Sequence, residues 1–275
     1  MLKKLFKYEW KASARILMVV YGIVILFSIL SRLFMEASGI NRGEETLPAM
    51  ETVSALLIMI SIVAIFSSVI FTWVFIAYRF YKSVFTEQGY LTNTLPVTQQ
   101  QIITAKMLTG VIWQVINWVL VLAAVLIMVA NGRDLSFIVK GIPDIFRAFV
   151  TKDMAATMWL ILAAVIISPF WMVLEMYLCV AVGNMLNSHK VLGAVGMYAG
   201  LYTVQQVIAI IIMMFSSSRF VETTDSVSAE TAEVAYQALN LLNINLIAGV
   251  ILGLIFTVGG FLITKYIMTM KLNLQ

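Results

Sequence analysis

One histidine and one cysteine bound the chemistry open to this chain. His189 stands alone, which excludes a His-Glu-x-x-His zinc site and any metal site built on paired histidines. Cys179 lies inside a long apolar run, with no second cysteine for a disulfide and no histidine in that run to act as its base. No aspartate falls within a predicted membrane span, so intramembrane proteolysis by paired aspartates is not open to it either. The chain has no Gly-x-x-x-x-Gly-Lys-Ser/Thr loop and so no device of that kind for holding nucleotide phosphates. The inventory predicts no enzyme: no catalytic residue, no metal and no cofactor of its own.

Two places keep chemical interest. The first is Glu175, set inside an apolar run with Ser168 and Pro169 two turns before it. A charged group at mid-span costs about 2.5–3.5 kcal/mol on insertion scales, so it faces protein or water. One reading puts Glu175, Ser168 and Pro169 on a translocation path. The other makes Glu175 a protonated or hydrogen-bonded carboxyl that holds helices together. The second place is the connection at 79–106, which mixes charge with aromatics and is long for a helical hairpin. Thr98 and Gln101 have capping-box spacing just after Pro96, so a helix should begin there. Tyr81 to Phe85 predicts a short helix ended by Gly89, which would present Glu87 and Tyr90 as a docking knob. The plainer reading leaves Gly89 as a cap and Tyr90 as an interfacial anchor.

The elements that must position these residues are set by hydropathy. Of 275 residues, 61% are hydrophobic and 12% charged, against about 45–50% and about 25% in soluble domains. Mean hydropathy is +0.97. The apolar residues gather into six blocks, 14–35, 53–78, 107–130, 155–182, 192–215 and 244–266, each long enough for a helix to cross about 30 Å of hydrocarbon. The fold class predicted is all-α, a polytopic membrane protein with six transmembrane helices in a single membrane domain, 1–275. Pro169 predicts a kink in the fourth helix. The first block, at about 33 Å of helix, is too long for a cleaved signal peptide, and no small-residue cleavage site follows it.

Residues 1–11 place Leu2, Leu5 and Phe6 on one arc of a helix and Lys3, Lys4, Lys7 and Lys11 on the other. They predict an amphipathic elbow helix lying on an anionic membrane leaflet, with lipid as its partner; alternatively, the lysines only set topology. Glu9 lands on the apolar arc, where it should face protein and a basic group rather than lipid. With the N-terminus inside, the inner segments hold eleven of the 18 Lys and Arg residues, which places both termini in the cytoplasm. The basic residues are spread over loops rather than set in a stripe, which argues against nucleic acid as a partner. Residues 136–150 predict an amphipathic helix at the outer surface, and 216–240 a solvated segment. The 17 methionines suit either an adaptable apolar cavity or ordinary packing.

The stretch from Arg79 to Lys106, with Glu-Gln-Gly-Tyr-Leu-Thr-Asn-Thr-Leu-Pro-Val at 87–97, resembles the permease subunits of ABC-2 type exporters of Gram-positive bacteria. The basic amphipathic start, the six spans and the Lys-Leu-Asn-Leu ending at 271–274 are similar to that family too. The resemblance implies that 79–106 is a cytoplasmic coupling loop. Its coupling helix, at about 81–91, would dock an ABC ATP-binding subunit through Glu87, Gln88, Gly89, Tyr90 and Leu91. It also implies ATP and Mg on that separate subunit, a second permease copy or paralogue beside this one, and a bacterial plasma-membrane location. The cargo implied is an amphipathic or hydrophobic molecule of the peptide or drug kind, moved outward. A different class of function, a non-transporting membrane anchor or sensor that assembles partner proteins, needs the same spans and basic ends but no polar path.

Overall fold

The structure, a computed structural model, describes residues 2–38, 48–86, 89, 98–129, 132–186, 189–225 and 231–270. Among them the chain is all-α, in seven helices: α1 (Leu2–Ala37), α2 (Pro48–Val84), α3 (Gln99–Val129), α4 (Gly132–Ala148), α5 (Lys152–Gly183), α6 (Lys190–Asp225) and α7 (Thr231–Met270). All but α4 are long and apolar enough to cross a membrane, so the chain is a multi-pass membrane protein. Each of the six expected apolar blocks lies on one of these helices, save that Ala130, the last residue of the third block, lies outside the described residues.

The helices outrun the blocks. α1 has 36 residues, and at about 1.5 Å per residue it is about 54 Å long, more than the about 40–45 Å of a whole bilayer. It runs without a break through residues 11–14, so the amphipathic start is the first turns of the spanning helix and not a separate elbow. The reason is local: Lys11, Ala12, Ala14 and Arg15 are strong helix formers, and no Gly or Pro interrupts them. Likewise Tyr81–Val84, expected as the start of a short separate helix, form the last turn of α2. Hydropathy reports where lipid lies, whereas backbone hydrogen bonding continues until a breaker stops it.

Two compact units make up the chain. The first holds Met1–Arg79 and Pro96–Lys140. Its core joins Leu17, Tyr21 and Val24 of α1, Ile65 and Phe75 of α2, and Trp113, Leu120, Ala124 and Met128 of α3. Running beside this apolar core is a seam of buried hydroxyls. Ser54, Ser61 and Ser68 recur every seventh residue on α2, and all are fully buried. Ser61 donates to the carbonyl of Phe27 (2.9 Å), and Ser31 to that of Leu57 (2.8 Å). Farther along, the Tyr21 and Thr72 hydroxyls meet at 3.2 Å, and Asn117 Nδ2 reaches Ser68. Between helices in lipid there is no hydrophobic drive, so small side chains that allow close approach and hydrogen bonds across the contact take its place.

The second unit holds Phe80–Leu95 and Gly141–Gln275. Here α5 packs on both α6 and α7. Gly253 and Gly260 of α7, seven apart, accept α5: a Cβ on Gly253 would lie 3.2 Å from Ile167 Cγ2, and one on Gly260 3.5 Å from Leu174. Trp171 stacks on Phe256 with centroids 5.9 Å apart. Where α5 gives way to α6 the two backbones nearly touch. A Cβ on Gly183 would sit 2.4 Å from the Ala194 amide nitrogen and 2.7 Å from the Lys190 carbonyl oxygen. The amphipathic stretch expected at 136–150 forms α4, whose Phe137, Val139, Ile145 and Phe146 are exposed.

Candidate functional site

The strongest charged constellation in the described residues is built around Glu9. Its position follows from helical spacing: Glu9, Ser13 and Leu17 share one face of α1, and Ser13 and Leu17 are buried. On α3 the inward face carries Ile102, Ile103, Lys106, Thr109, Gly110 and Trp113, so Lys106 is turned into the protein by the same periodicity that buries its apolar neighbours. Arg79 comes from near the end of α2. The three meet: Arg79 Nη2 donates to Glu9 Oε2 at 2.7 Å, and Lys106 Nζ donates to Glu9 Oε1. The Lys106 side chain is only 6% exposed, against 19% for Glu9 and 28% for Arg79. The predicted basic partner of Glu9 is thus two partners, one on each carboxylate oxygen. They are also the two residues that bound the 79–106 connection.

Aromatic stacking fixes the same end of α1. Trp10 lies on Trp113 with centroids 4.5 Å apart and planes 19° from parallel, and Phe6 stacks on Trp10 at 6.2 Å. Glu9 is therefore held from both sides along its helix, and its carboxylate is spent on structure. With a cation on each carboxylate oxygen, the cluster can clamp and orient the three helices it joins.

Within the 79–106 connection, the capping box forms as expected. Thr98 N donates to Gln101 Oε1 and Gln101 N to Thr98 Oγ1, both at 3.4 Å, and α3 begins at Gln99. At the other end Phe80, Val84 and Phe85 are each 1% exposed. Phe80 stacks on Tyr177 at 3.9 Å, with planes 11° apart. Of the predicted docking positions, Glu87, Gln88, Tyr90 and Leu91 lie outside the described residues. Gly89 is buried and its amide donates to the Thr86 carbonyl at 2.6 Å. A Cβ there would fall 2.2 Å from the Val84 carbonyl oxygen, so the backbone at this point requires glycine.

The residues predicted for a translocation path all lie on α5, with Ser168 and Glu175 seven residues, or two turns, apart and so on the same side of that helix. Glu175 Oε1 accepts a hydrogen bond from Gln205 Nε2 of α6 at 2.9 Å, which joins the two helices. Ser168 donates to the Val165 carbonyl of its own helix at 3.2 Å. That carbonyl is the one Pro169 leaves without its usual amide partner four residues on, so the serine repairs the gap the proline makes. Pro169 itself is buried, and α5 continues through it to Gly183. Sequence reasoning missed Gln205, which lies within an apolar block beside Gln206 and has no periodic signal of its own. It also missed the hydroxyl seam, whose seven-residue serine spacing on α2 was a readable sign. No protein-family model, no curated protein and no solved structure matches this chain.

Proposed function

We propose that this protein is the membrane-spanning permease subunit of an ATP-driven exporter of the ABC-2 type. It would move an amphipathic or hydrophobic cargo, of the peptide or drug kind, with ATP hydrolysed by a separate subunit. The observation that carries the reading is the Glu9 clamp. One carboxylate grips Arg79 and Lys106, the two bounds of the segment whose sequence resembles a coupling loop, and fastens both to the start of α1. A loop that receives a mechanical stroke from an ATPase needs flanks that do not yield. Here the flanks are tied by charge-assisted hydrogen bonds, the strongest kind available to side chains.

The test is co-purification from native membranes in mild detergent. An ATP-binding subunit should accompany the wild-type chain and be lost from a Glu87→Ala/Tyr90→Ala variant whose helix content is unchanged. If no ATPase accompanies the wild type under conditions that keep other membrane complexes whole, the transport reading falls. One observation favours the anchor or sensor reading instead: Glu175 is half-buried and bonded to Gln205, as a sealed helix-joining group would be. In that case Glu175→Gln leaves partner assembly and cell physiology unchanged. A permease with Glu175 on its path loses export of its cargo in that variant.

A further inference from the structure

Between the first turns of α1 and the outer face of α3 lies a groove of about 530 Å³ lined by Lys3, Lys4, Phe6, Lys7, Trp10 and Ile112. Its volume falls within the about 300–1,000 Å³ of small-ligand sites. Its chemistry is divided. Phe6, Trp10 and Ile112 supply an apolar floor, and three ammonium groups stand around it, all exposed. Among the described residues no carboxylate lines the groove. Glu9, the one acid in the first turns of α1, is engaged by Arg79 and Lys106. Among the described residues none of the three lysines forms an ion pair. The floor is rigid, because Trp10 is stacked between Phe6 and Trp113.

We infer that this groove is a discrete seat for one anionic glycerophospholipid, with its phosphate among Lys3, Lys4 and Lys7 and the head of its acyl chains along Phe6, Trp10 and Ile112. Three features select a lipid over a soluble anion. The ligand must be anionic at one end and apolar at the other, since a free phosphate would leave the aromatic floor unused. The groove lies at the end of a helix whose about 54 Å length exceeds a bilayer, so its lysines come level with headgroups when the apolar part of α1 spans the hydrocarbon. The lysine stems are also long enough to follow the floor while their charged ends stay in the polar layer. The seat stands independently of the transport reading.

The experiment is native mass spectrometry of the full chain released from nanodiscs of equal phosphatidylglycerol and phosphatidylcholine, together with thermal unfolding in the same bilayers. The wild type should retain one phosphatidylglycerol in preference to phosphatidylcholine. A Lys3→Gln/Lys4→Gln/Lys7→Gln variant should lose that preference by about tenfold or more, since each lysine at an anionic surface contributes severalfold. A Lys140→Gln/Lys152→Gln/Lys190→Gln variant removes the same charge elsewhere and should keep the preference. Equal loss in both variants would show bulk attraction and overturn the seat. Competition by millimolar inorganic phosphate would overturn the lipid as its ligand. Should the first variant unfold, Phe6→Ser in its place should weaken retention of the lipid, and unchanged retention would refute the floor.

Discussion

A buried charge is governed by what remains when its partner is removed. Glu9 serves two cations, whereas each cation serves only a share of Glu9. Removing the acid by Glu9→Gln strands Lys106, which is almost wholly buried. Breaking a fully buried pair costs about 3–5 kcal/mol, and the partial exposure of Glu9 and Arg79 reduces this to about 2 kcal/mol. Lys106→Met leaves Glu9 bonded to Arg79 and should cost less than half as much, and the double variant should recover most of the loss caused by Glu9→Gln alone. Thermal unfolding of the four proteins in one detergent checks this order; equal losses for the two single variants would refute the shared clamp. The Glu175–Gln205 bond predicts a smaller effect. Side-chain hydrogen bonds between membrane helices average about 0.6 kcal/mol, so Gln205→Ala should lower stability by about that much, and Glu175→Gln by less, since an amide still bonds an amide. At this scale the sequence was partly legible. Glu9 on an apolar arc announced a basic partner, because lipid would not tolerate it. Arg79 and Lys106 could not be named, since the bonds join residues 70 and 97 positions away.

Among helices, contact depends on which glycines meet a neighbour. Gly183 lies against the backbone of α6, which cannot move aside as a side chain would, whereas a Cβ on Gly196 or Gly200 would meet nothing within 4 Å among the described residues. Gly183→Ala should therefore destabilise the protein by about 1–3 kcal/mol, the usual cost of overpacking. Gly196→Ala and Gly200→Ala should be neutral or stabilise by up to about 1 kcal/mol through helix propensity. Unfolding in detergent, with the three variants side by side, reads the difference, and a Gly196→Ala loss as large as that of Gly183→Ala would show that α6 meets an unrecognised neighbour there. The six spans were legible because about 20 apolar residues in a row admit one structure in lipid. Their ends were not. Residues 11–14 and Tyr81–Val84 carry polar groups that signal an interface to a hydropathy reading, but no Gly or Pro interrupts them and the helix beside them is already nucleated, so extending it costs little. The capping box at Thr98 and Gln101 was legible because it is a local device, complete within four residues.

For the molecule as a whole, the distribution of Lys and Arg predicts both termini on the cytoplasmic side. In a Cys179→Ser background, a Lys4→Cys variant should react with a membrane-impermeant maleimide only after the cells are permeabilised, and a Ser136→Cys variant before. Reversal of that pattern would invert the topology. The division into two compact units was not legible in the sequence, because both are made of similar apolar helices and α2 passes from one to the other at Arg79 and Phe80 with no change in composition. The Glu9 clamp also bears on how the chain is made. A ribosome releases Glu9 long before Arg79 and longer still before Lys106, which are 70 and 97 residues later. These two partners therefore reach the acid only after α1 and most of α2 have been made. Arg79 can balance its charge once α2 is complete, and Lys106, in the first turns of α3, then occupies the second carboxylate oxygen, so the start of α1 is fastened on both sides only when the third helix has begun to form.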